Sequence, residues 1–410
     1  MLNRLKIMDN FIKKYITLIF ILVSIVNFSQ NKTKISGRVL DLETSKPISY
    51  ASIYLTSESI GTTTNNDGFF TFYIPNKKQK NSITISMIGY LSISKKVNSF
   101  AKNETIYLSS KTTDLEEVVI RATKKKQLTA KEIVRKAYKE IYNNYPTKPY
   151  ILEGYVRDLQ KEEDKYVEYL ECATKFLYQG YKTKREPLVE ILGVKTNYLG
   201  DKHPWNKNSE RKNSIIDLVE DDLIRFDYGP IKGKNGWKYI LENILPYKNR
   251  LVYKITGIDK PFQTSTLFID TKTFAFVRIE LIRKAKKNRS WKRRFSNRAL
   301  QVYYNLVIEY QEIDDKMYLK YQKEEDTWRI FKGLESNKVL FTKYPKKELF
   351  INKVVIDNVE NYPFKRNMDI SSSIENQAEK FNPDFWESYN IPKQTESESK
   401  IISELRSRAK

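Results

Sequence analysis

Short runs of alternating apolar and polar residues, separated by turn residues, make up the chain between residues 34 and 110. They occupy residues 35–39, 49–55, 69–74, 82–90 and 105–108. A period of two places alternate side chains on one buried face of a strand. Short strands at this spacing, with turns between them, predict an all-β sandwich.

One connection in this region, residues 61–68, ends in Asp67-Gly68. Asp-Gly pairs favour tight turns because glycine adopts positive φ without steric cost. We therefore expect residues 61–68 to form a hairpin connection. We also expect Asp67 and Gly68 to form a turn and not a calcium site.

Longer alternating runs follow residue 150, for example at residues 277–281, 305–311 and 317–322. This pattern is typical of an antiparallel sheet with one buried face and one solvated face. Turn residues at 270–273 and 314–316 predict two hairpins of that sheet.

Helical segments are fewer. The Thr129-x-x-Glu132 pattern is a capping box and predicts the start of a packing helix. We expect two shorter helices at residues 214–224 and 237–244, and a helical tail at residues 393–410. The chain also holds 28 tyrosines and 20 phenylalanines, residues that suit half-buried strands. The pattern as a whole predicts a mainly β protein, with a small sandwich followed by a larger antiparallel, β-rich α+β domain.

A targeting signal is expected at the N-terminus. Lys13 and Lys14 precede an apolar run at residues 15–28, and Ser29 follows it. A basic segment, an apolar run and a small residue make up a secretory signal peptide. The run is too short for a comfortable membrane span, so we expect an exported mature chain without a transmembrane domain, in the periplasm or at the outer membrane. An uncleaved N-terminal anchor is the alternative.

Two scarce residue types exclude several classes of site. The only histidine is His203, so a zinc site with several histidines is excluded. The only cysteine is Cys172, which lies in a strand-like run at residues 165–176 and is expected to be a small buried apolar residue. The sequence contains neither a phosphate-binding G-x-x-x-x-G-K-[ST] loop nor a G-x-G-x-x-G motif. We therefore expect no cofactor and no metal.

The first module resembles a known family in several motifs that occur in the family's order. These motifs are Gly37-Arg-Val39, Pro47, Ala51-Ser-Ile-Tyr-Leu55, Gly61-Thr-Thr-Thr64, Asp67-Gly-Phe69 and Ser86-Met-Ile-Gly-Tyr90. They resemble the carboxypeptidase-regulatory-like domain of exported proteins of the Bacteroidetes cell envelope. The resemblance implies a transthyretin-like sandwich of about seven strands. It implies no peptidase activity, because this domain is a non-catalytic module.

Two later segments also resemble known proteins. Residues 251–281 resemble, in strand order, the half-barrel folds of periplasmic lipoprotein carriers, in which a curled sheet surrounds an apolar groove. An ordinary sheet with a filled core is the alternative. Residues 381–390 resemble the closing segment of Bacteroidetes proteins of the same organisation, and we expect Phe385, Trp386 and Tyr389 to anchor the tail onto the domain.

These observations divide the chain into five parts. They are a signal peptide at 1–29, the carboxypeptidase-regulatory-like sandwich at 30–112, a linker at 113–128, a β-rich domain of unknown function at 129–392 and the helical tail at 393–410.

The formal net charge is +23, and residues 1–29 hold four basic residues and one acidic residue, which leaves +20 for the mature chain. Such a charge attracts anionic partners. A compositional bias toward Lys, Asn, Ile and Tyr is the alternative explanation. Residues 283–298 are the most basic stretch, with nine basic residues, no acidic residue and two interleaved aromatic residues. The candidate residues for binding an anionic surface are Lys284, Lys286, Lys287, Arg289, Trp291, Lys292, Arg293 and Arg294.

This basic stretch lies between two strand patterns, so we expect a protruding hairpin tip or a short helix. Basic residues near an anionic membrane attract its headgroups, and aromatic side chains enter the interface. Charge with stacking also suits single-stranded nucleic acid, but export argues against that partner. A solvated loop that only resists aggregation is the alternative.

Three acidic clusters, at residues 162–164, 220–222 and 324–326, are the candidates for paired-carboxylate chemistry. Each lies beside an expected turn or helix end, where solvated acidic residues are common, so we predict no catalytic residues. The sequence favours a non-enzymatic protein of the cell envelope that binds a partner protein or an anionic lipid or glycolipid surface. The alternatives are an envelope hydrolase with paired carboxylates and a purely structural component of an outer-membrane complex.

Overall fold

The chain was analysed as a computed structural model. The structure describes residues 32–56, 58–111, 128–198, 214–234, 236–260, 262–285, 291–294, 297–333, 335–369, 372, 374–377, 383–387 and 389–408. The expected signal peptide, residues 113–127 of the expected linker and His203 lie outside the described residues. Among the described residues, no helix is both long enough and apolar enough to cross a membrane.

Residues 32–111 form a sandwich of two small sheets, as the sequence predicts. One sheet has the order β4-β1-β7 and the other β3-β2-β5-β6. The side chains that alternate inward from both sheets form one core, in which Ile53, Phe70 and Phe72 are fully buried. The strands are β1 (Lys32–Asp41), β2 (Ser52–Leu55), β3 (Gly61–Thr63), β4 (Phe69–Pro75), β5 (Ser82–Ser86), β6 (Ile93–Lys96) and β7 (Glu104–Leu108).

The prediction that residues 61–68 form a hairpin connection is wrong. Residues 61–63 are strand β3, which pairs with β2, and the chain then crosses to β4 in the other sheet. The tight turn at Asp67-Gly68 is confirmed, with the Gly68 amide donating to the Asn65 carbonyl oxygen at 3.0 Å. Gly68 has a φ of +78°, and a Cβ there would lie 2.5 Å from the Val39 carbonyl oxygen, so only glycine fits.

A second, much larger antiparallel sheet follows. Its order is β10-β9-β8-β18-β17-β16-β14-β13-β12-β11, and β15 pairs with β16. Among the described strands, β10 and β11 lie at opposite ends of this order, so the sheet is open and not a closed barrel. The strands are β8 (Tyr150–Glu162), β9 (Lys165–Tyr178), β10 (Leu188–Tyr198), β11 (Lys238–Tyr247), β12 (Arg250–Ile258), β13 (Gln263–Asp270), β14 (Phe276–Lys284), β15 (Trp291–Arg294), β16 (Asn297–Ile313), β17 (Lys316–Phe331) and β18 (Val339–Val355).

Both predicted hairpins of this sheet are confirmed, since β13 leads into β14 after Asp270 and β16 leads into β17 through Asp314 and Asp315. These two aspartates both have positive φ, at +47° and +60°. Such a pair gives a two-residue turn whose twist matches that of the flanking strands.

The described helices are short and lie mostly on the large sheet. They are α1 (Ala130–Lys139), α2 (Ile141–Asn144), α3 (Ser214–Glu220), α4 (Leu223–Phe226), α5 (Pro383–Glu387) and α6 (Glu396–Arg408). The capping box at the start of α1 is confirmed, since Thr129 and Glu132 exchange side-chain-to-backbone hydrogen bonds.

The helix predicted at residues 237–244 is wrong, because this stretch belongs to edge strand β11. Exposed residues at 238, 240 and 242 alternate with half-buried ones, which is the period of a strand. A register shift between Leu241 and Asn243 interrupts the pairing with β12 and obscures that period in the sequence.

The two faces of the large sheet have different coverings. Helices α1 to α4 cover one face, here called the inner face, and share with it a single large core. The sandwich and the C-terminal segment cover the opposite, outer face. The prediction that Phe385, Trp386 and Tyr389 anchor the tail is confirmed, because all three pack on this outer face beside Tyr155. Cys172 is fully buried, also as predicted.

The sandwich contacts the outer face through Tyr50. Its ring stacks on Tyr321 with ring centroids 4.8 Å apart, and its hydroxyl donates to Glu348 at 3.0 Å. The side-chain amide of Asn390 bonds to the backbone of Tyr73, both as acceptor and as donor. The C-terminal segment therefore touches both the sandwich and the large sheet.

Candidate functional site

Those of the predicted basic residues that the structure describes lie at one end of the large sheet. Lys284 ends β14, and residues 291–294 form β15, which pairs with the first residues of β16. The segment is thus a strand that enters a hairpin, in agreement with the hairpin alternative and not with the short helix. Lys286, Lys287 and Arg289 lie outside the described residues.

A neighbouring hairpin turn, which the sequence analysis did not include, extends this basic surface. The connection between β17 and β18 lies beside the β15–β16 hairpin, because Arg298 of β16 donates to the carbonyl oxygen of Ser336 at 3.1 Å. The connection contributes Lys332 and Lys338, and the end of β17 contributes Arg329, all of them exposed. We name the set of Lys284, Arg298, Arg329, Lys332 and Lys338, together with strand β15, the basic sheet end.

The charges of the basic sheet end are largely uncompensated. In the part of the chain that the structure describes, Lys284, Arg329, Lys332 and Lys338 make no ion pair. Elsewhere on the large sheet ion pairs are common, for example between Arg278 and Glu309 at 3.0 Å. Cations without a partner inside the protein are free to meet an anionic partner outside it.

A buried carboxylate cluster lies on the inner face, nearer the core. Asp221, just after α3, accepts hydrogen bonds from the hydroxyls of Tyr304 at 2.7 Å and Tyr228 at 2.9 Å, and the Glu324 carboxyl group lies beside it. Glu324 accepts from Lys347 at 3.4 Å, and Asp326 accepts from Gln301 at 2.5 Å. Two of the three acidic clusters of the sequence, 220–222 and 324–326, therefore meet in space.

Burial decides the protonation of this cluster. It raises the pKa of Asp221 to about 6, and the neighbouring Glu324 carboxylate acts in the same direction. Burial likewise raises the pKa of Glu324 to about 7, although the ammonium group of Lys347 acts against the shift. Burial favours neutral Lys347, but Glu324 and Asp217 raise its pKa above its usual value, so it stays charged.

The expectation that all three acidic clusters are solvated is therefore wrong for Asp221, Asp222, Glu324 and Asp326. The sequence does not show that strand β17 turns residues 324 and 326 toward helix α3. Its inner-facing neighbour Gln322 donates to the Leu218 carbonyl oxygen at 2.5 Å and marks that contact. The cluster at 162–164 is a turn between β8 and β9 with exposed residues, as expected.

The geometry of the carboxylate pair argues against glycoside hydrolysis. A hydrolytic pair flanks the scissile bond, with its carboxyl groups about 5 Å or more apart. Asp221 and Glu324 instead lie side by side in a buried cluster, close enough for each to shift the pKa of the other. Among the described residues, no group of three or more His, Cys, Asp or Glu side chains is arranged to hold a metal ion. This cluster is better explained as a structural clasp between α3 and β17.

The two features adjoin each other. The guanidinium group of Arg283, the first residue of the basic stretch, lies 4.6 Å from the ring centroid of Tyr304. The hydroxyl of that tyrosine bonds to Asp221. The base of the basic sheet end is thus held by the carboxylate cluster.

Comparison with known proteins identifies the first module. Residues 35–120 match the family model described as CarboxypepD_reg-like domain, in agreement with the motifs of the sequence. No curated protein matches the chain.

Three solved structures share low similarity with the chain. A LolA superfamily protein from Nitrosomonas europaea has a TM-score of 0.21 and 10% identity, and the match covers 57% of this chain and 95% of that one. An outer membrane lipoprotein-sorting protein domain from Vibrio parahaemolyticus has a TM-score of 0.26 and 10% identity, over 55% and 92%. The MucA/MucB complex of Pseudomonas aeruginosa has a TM-score of 0.18 and 7% identity, over 54% and 93%.

Proposed function

We propose that this protein is a non-enzymatic, exported protein of the cell envelope that docks on an anionic lipid surface through its basic sheet end. The observation that carries the proposal is the convergence of two hairpins at one end of the large sheet, where four exposed cations have no described partner. Each Lys or Arg near an anionic membrane contributes about 1 kcal/mol of attraction. Several together are enough for reversible docking.

The covering of the inner face favours a protein that docks on a lipid surface over one that carries a lipid molecule. A lipid carrier needs an open apolar groove, but helices α1 to α4 lie on this face and share its core. Tyr145, Tyr150, Tyr181 and Tyr310 are almost fully buried there. Their rings pack against one another between the sheet and the helices.

The apolar run and flanking lysines at the N-terminus support the location. An exported protein meets the anionic lipids or glycolipids of the envelope directly. The partner-protein alternative and the structural alternative from the sequence become outcomes of the same test, because neither requires binding to protein-free vesicles.

We expect the double variant Arg329→Gln and Lys332→Gln to bind anionic vesicles about thirtyfold more weakly than wild type at low salt, since each charge contributes about 1 kcal/mol. The cause is the loss of two attractive charges that make no described contact within the protein, so the melting temperature is expected to stay the same. Co-sedimentation with phosphatidylglycerol-containing vesicles, beside a thermal melt, measures both quantities. Added salt should weaken wild-type binding.

A matched control changes the same charge elsewhere. Lys77→Gln with Lys80→Gln removes two exposed cations from the sandwich and should leave vesicle binding near wild type. Equal weakening by both double variants would show that only net charge matters, and would contradict a specific docking end. A wild-type protein that does not sediment with anionic vesicles would leave the protein-partner or structural alternative.

A further inference from the structure

Two exposed apolar residues lie within the basic sheet end. Val339 and Leu340 begin β18, directly after Lys338, and their exposed fractions are 41% and 36%. Their neighbours on the sheet, Ile330 and Phe341, are almost fully buried. Among the described residues of β17 and β18, the exposed aliphatic side chains thus lie at the tip, whereas Tyr344 is exposed further along β18.

The two apolar side chains lie at a break in the strand pairing. Val339 pairs with Phe331 and Phe341 pairs with Ile330, so Leu340 is an extra residue with no partner on β17. Such a bulge interrupts the regular alternation of side chains between the two faces of the sheet. Val339 and Leu340 thus form a small apolar patch among exposed cations, which suits a lipid layer with anionic headgroups.

Two backbone carbonyl oxygens of the tip accept hydrogen bonds from within the protein. The amide of Lys332 donates to the carbonyl oxygen of Lys338 at 3.0 Å, which closes the turn. The guanidinium group of Arg298 donates hydrogen bonds to the carbonyl oxygen of Ser336 and to the side-chain oxygen of Asn337, the latter at 3.2 Å. Backbone groups bonded within the protein cost less to remove from water.

The charges beside the tip favour anionic headgroups. Exposed Arg329, Lys332 and Lys338 lie at the level of the turn. Long basic side chains bury their apolar stems and keep the charged ends among headgroups. Other exposed apolar residues, such as Leu91 on the sandwich, lie outside the basic sheet end.

We propose that the β17–β18 tip inserts Val339 and Leu340 into the boundary between headgroups and acyl chains of an anionic bilayer. This inference rests on the proposed function, and adds a penetrating apolar wedge to the electrostatic contact. Electrostatic attraction brings the sheet end to the surface, and the wedge fixes its depth.

A polarity-sensitive fluorophore on Leu340→Cys tests the insertion in the full-length protein. The native Cys172 is fully buried, and burial raises the pKa of its thiol, so the label reacts at the introduced cysteine. We expect a blue shift and brighter emission when vesicles of phosphatidylcholine and phosphatidylglycerol are added. The same label on Leu91→Cys is the control and should not change.

The double variant Val339→Ser and Leu340→Ser gives a second readout. We expect binding to these vesicles to weaken about tenfold, with an unchanged melting temperature, because burial of apolar surface in the bilayer is lost. We also expect added salt to weaken vesicle binding of this variant more than that of wild type, because the attraction that remains is electrostatic. This result would support the wedge.

The outcomes separate the two proposals. If the double serine variant binds as tightly as wild type and the label at 340 stays in water, the wedge is wrong while the electrostatic docking stands. If the wild-type protein does not bind anionic vesicles at all, both proposals are wrong. An equal response of the labels at 340 and 91 would also overturn the wedge.

Discussion

Asp222→Ala is expected to destabilise the large domain by about 3–5 kcal/mol, because it leaves a buried guanidinium group without its carboxylate. Asp222 accepts hydrogen bonds from the hydroxyls of Tyr310 at 2.8 Å and Tyr181 at 3.1 Å. Its side chain also caps α4, accepting from the amides of Ile224 and Arg225. One substitution therefore removes a cap, two buried hydrogen bonds and an ion-pair partner.

The partner of Asp222 is among the most buried charges of the protein. The exposed fraction of Arg225 is 1%, and its guanidinium carbon lies 4.1 Å from the ring centroids of both Tyr178 and Tyr181. It donates to the hydroxyl of Tyr150 at 2.6 Å. These contacts fix α3 and α4 on the inner face, so their loss should open that face first.

Urea unfolding followed by circular dichroism measures the effect. Asp222→Asn keeps an acceptor for the helix cap and should cost less than the alanine variant. Glu220→Ala, an exposed change on the adjacent helix, is the control and should stay within about 0.5 kcal/mol of wild type. A loss below about 1 kcal/mol for Asp222→Ala would contradict the buried network.

The second large effect is expected in the pH dependence of stability. The folded pKa values of Asp221 and Glu324, about 6 and about 7, lie above the unfolded values of these residue types. The folded state then binds more protons than the unfolded state between the two sets of values. Their contribution to the free energy of unfolding is therefore full below about pH 4, and is lost as pH rises through 6 and 7.

Glu324→Gln should remove part of this dependence. The pKa of Glu324 rises from 4.5 to about 7, and a rise of about 2.5 pKa units corresponds to about 3.4 kcal/mol. Between about pH 4.5 and pH 7.5, wild type should therefore lose up to this much more stability than the variant. Lys347 keeps Asp217 as a partner at 2.6 Å, so it is not left uncompensated. Buried carboxylates with lowered pKa values, such as Glu309, act in the opposite direction, and so the difference between variant and wild type is the quantity to measure.

Urea unfolding at a series of pH values provides that difference. Glu325→Gln changes the next residue, whose side chain bonds to Asn305 and Lys323 and does not join the cluster. This control should follow the wild-type pH profile. Identical profiles for wild type and Glu324→Gln would show that Glu324 is ionised throughout and would contradict its raised pKa.

The parts of the fold that follow from local pattern could be predicted from the sequence. Alternation identified most strands, Thr129 and Glu132 identified a helix start, and the aromatic residues near Trp386 identified the tail anchor. The basic stretch could be placed beside a hairpin for the same reason. Edge strand β11 was missed for two reasons. Both of its faces are partly exposed, and its pairing register shifts at Glu242, so its apolar and polar residues do not alternate regularly.

The tertiary clusters could not be predicted, because pattern says nothing about which distant strands meet. Asp221 and Glu324 are far apart in sequence, and a one-residue change of register in β17 would turn Glu324 outward. Arg225 resembles any surface arginine until Tyr150, Tyr178 and Tyr181 surround it. The contribution of Arg329 and Lys332 to the basic sheet end likewise depends on the pairing of β16 with β17.

The order of strands in the large sheet has a consequence for how the chain folds. Strand β8 pairs with β18, which follows it by nearly the whole length of the domain, and the outer face is completed only by Asn390 and its neighbours. Pairings between such distant segments are slow to form. When the chain emerges N-terminus first from a narrow channel, β8 can pair with β9 long before β18 is available. The other edge of β8 therefore keeps unpaired backbone hydrogen-bonding groups until the last strand emerges. Such an open edge attracts other unfolded chains, so this protein should depend on holding chaperones between its emergence and its final closure.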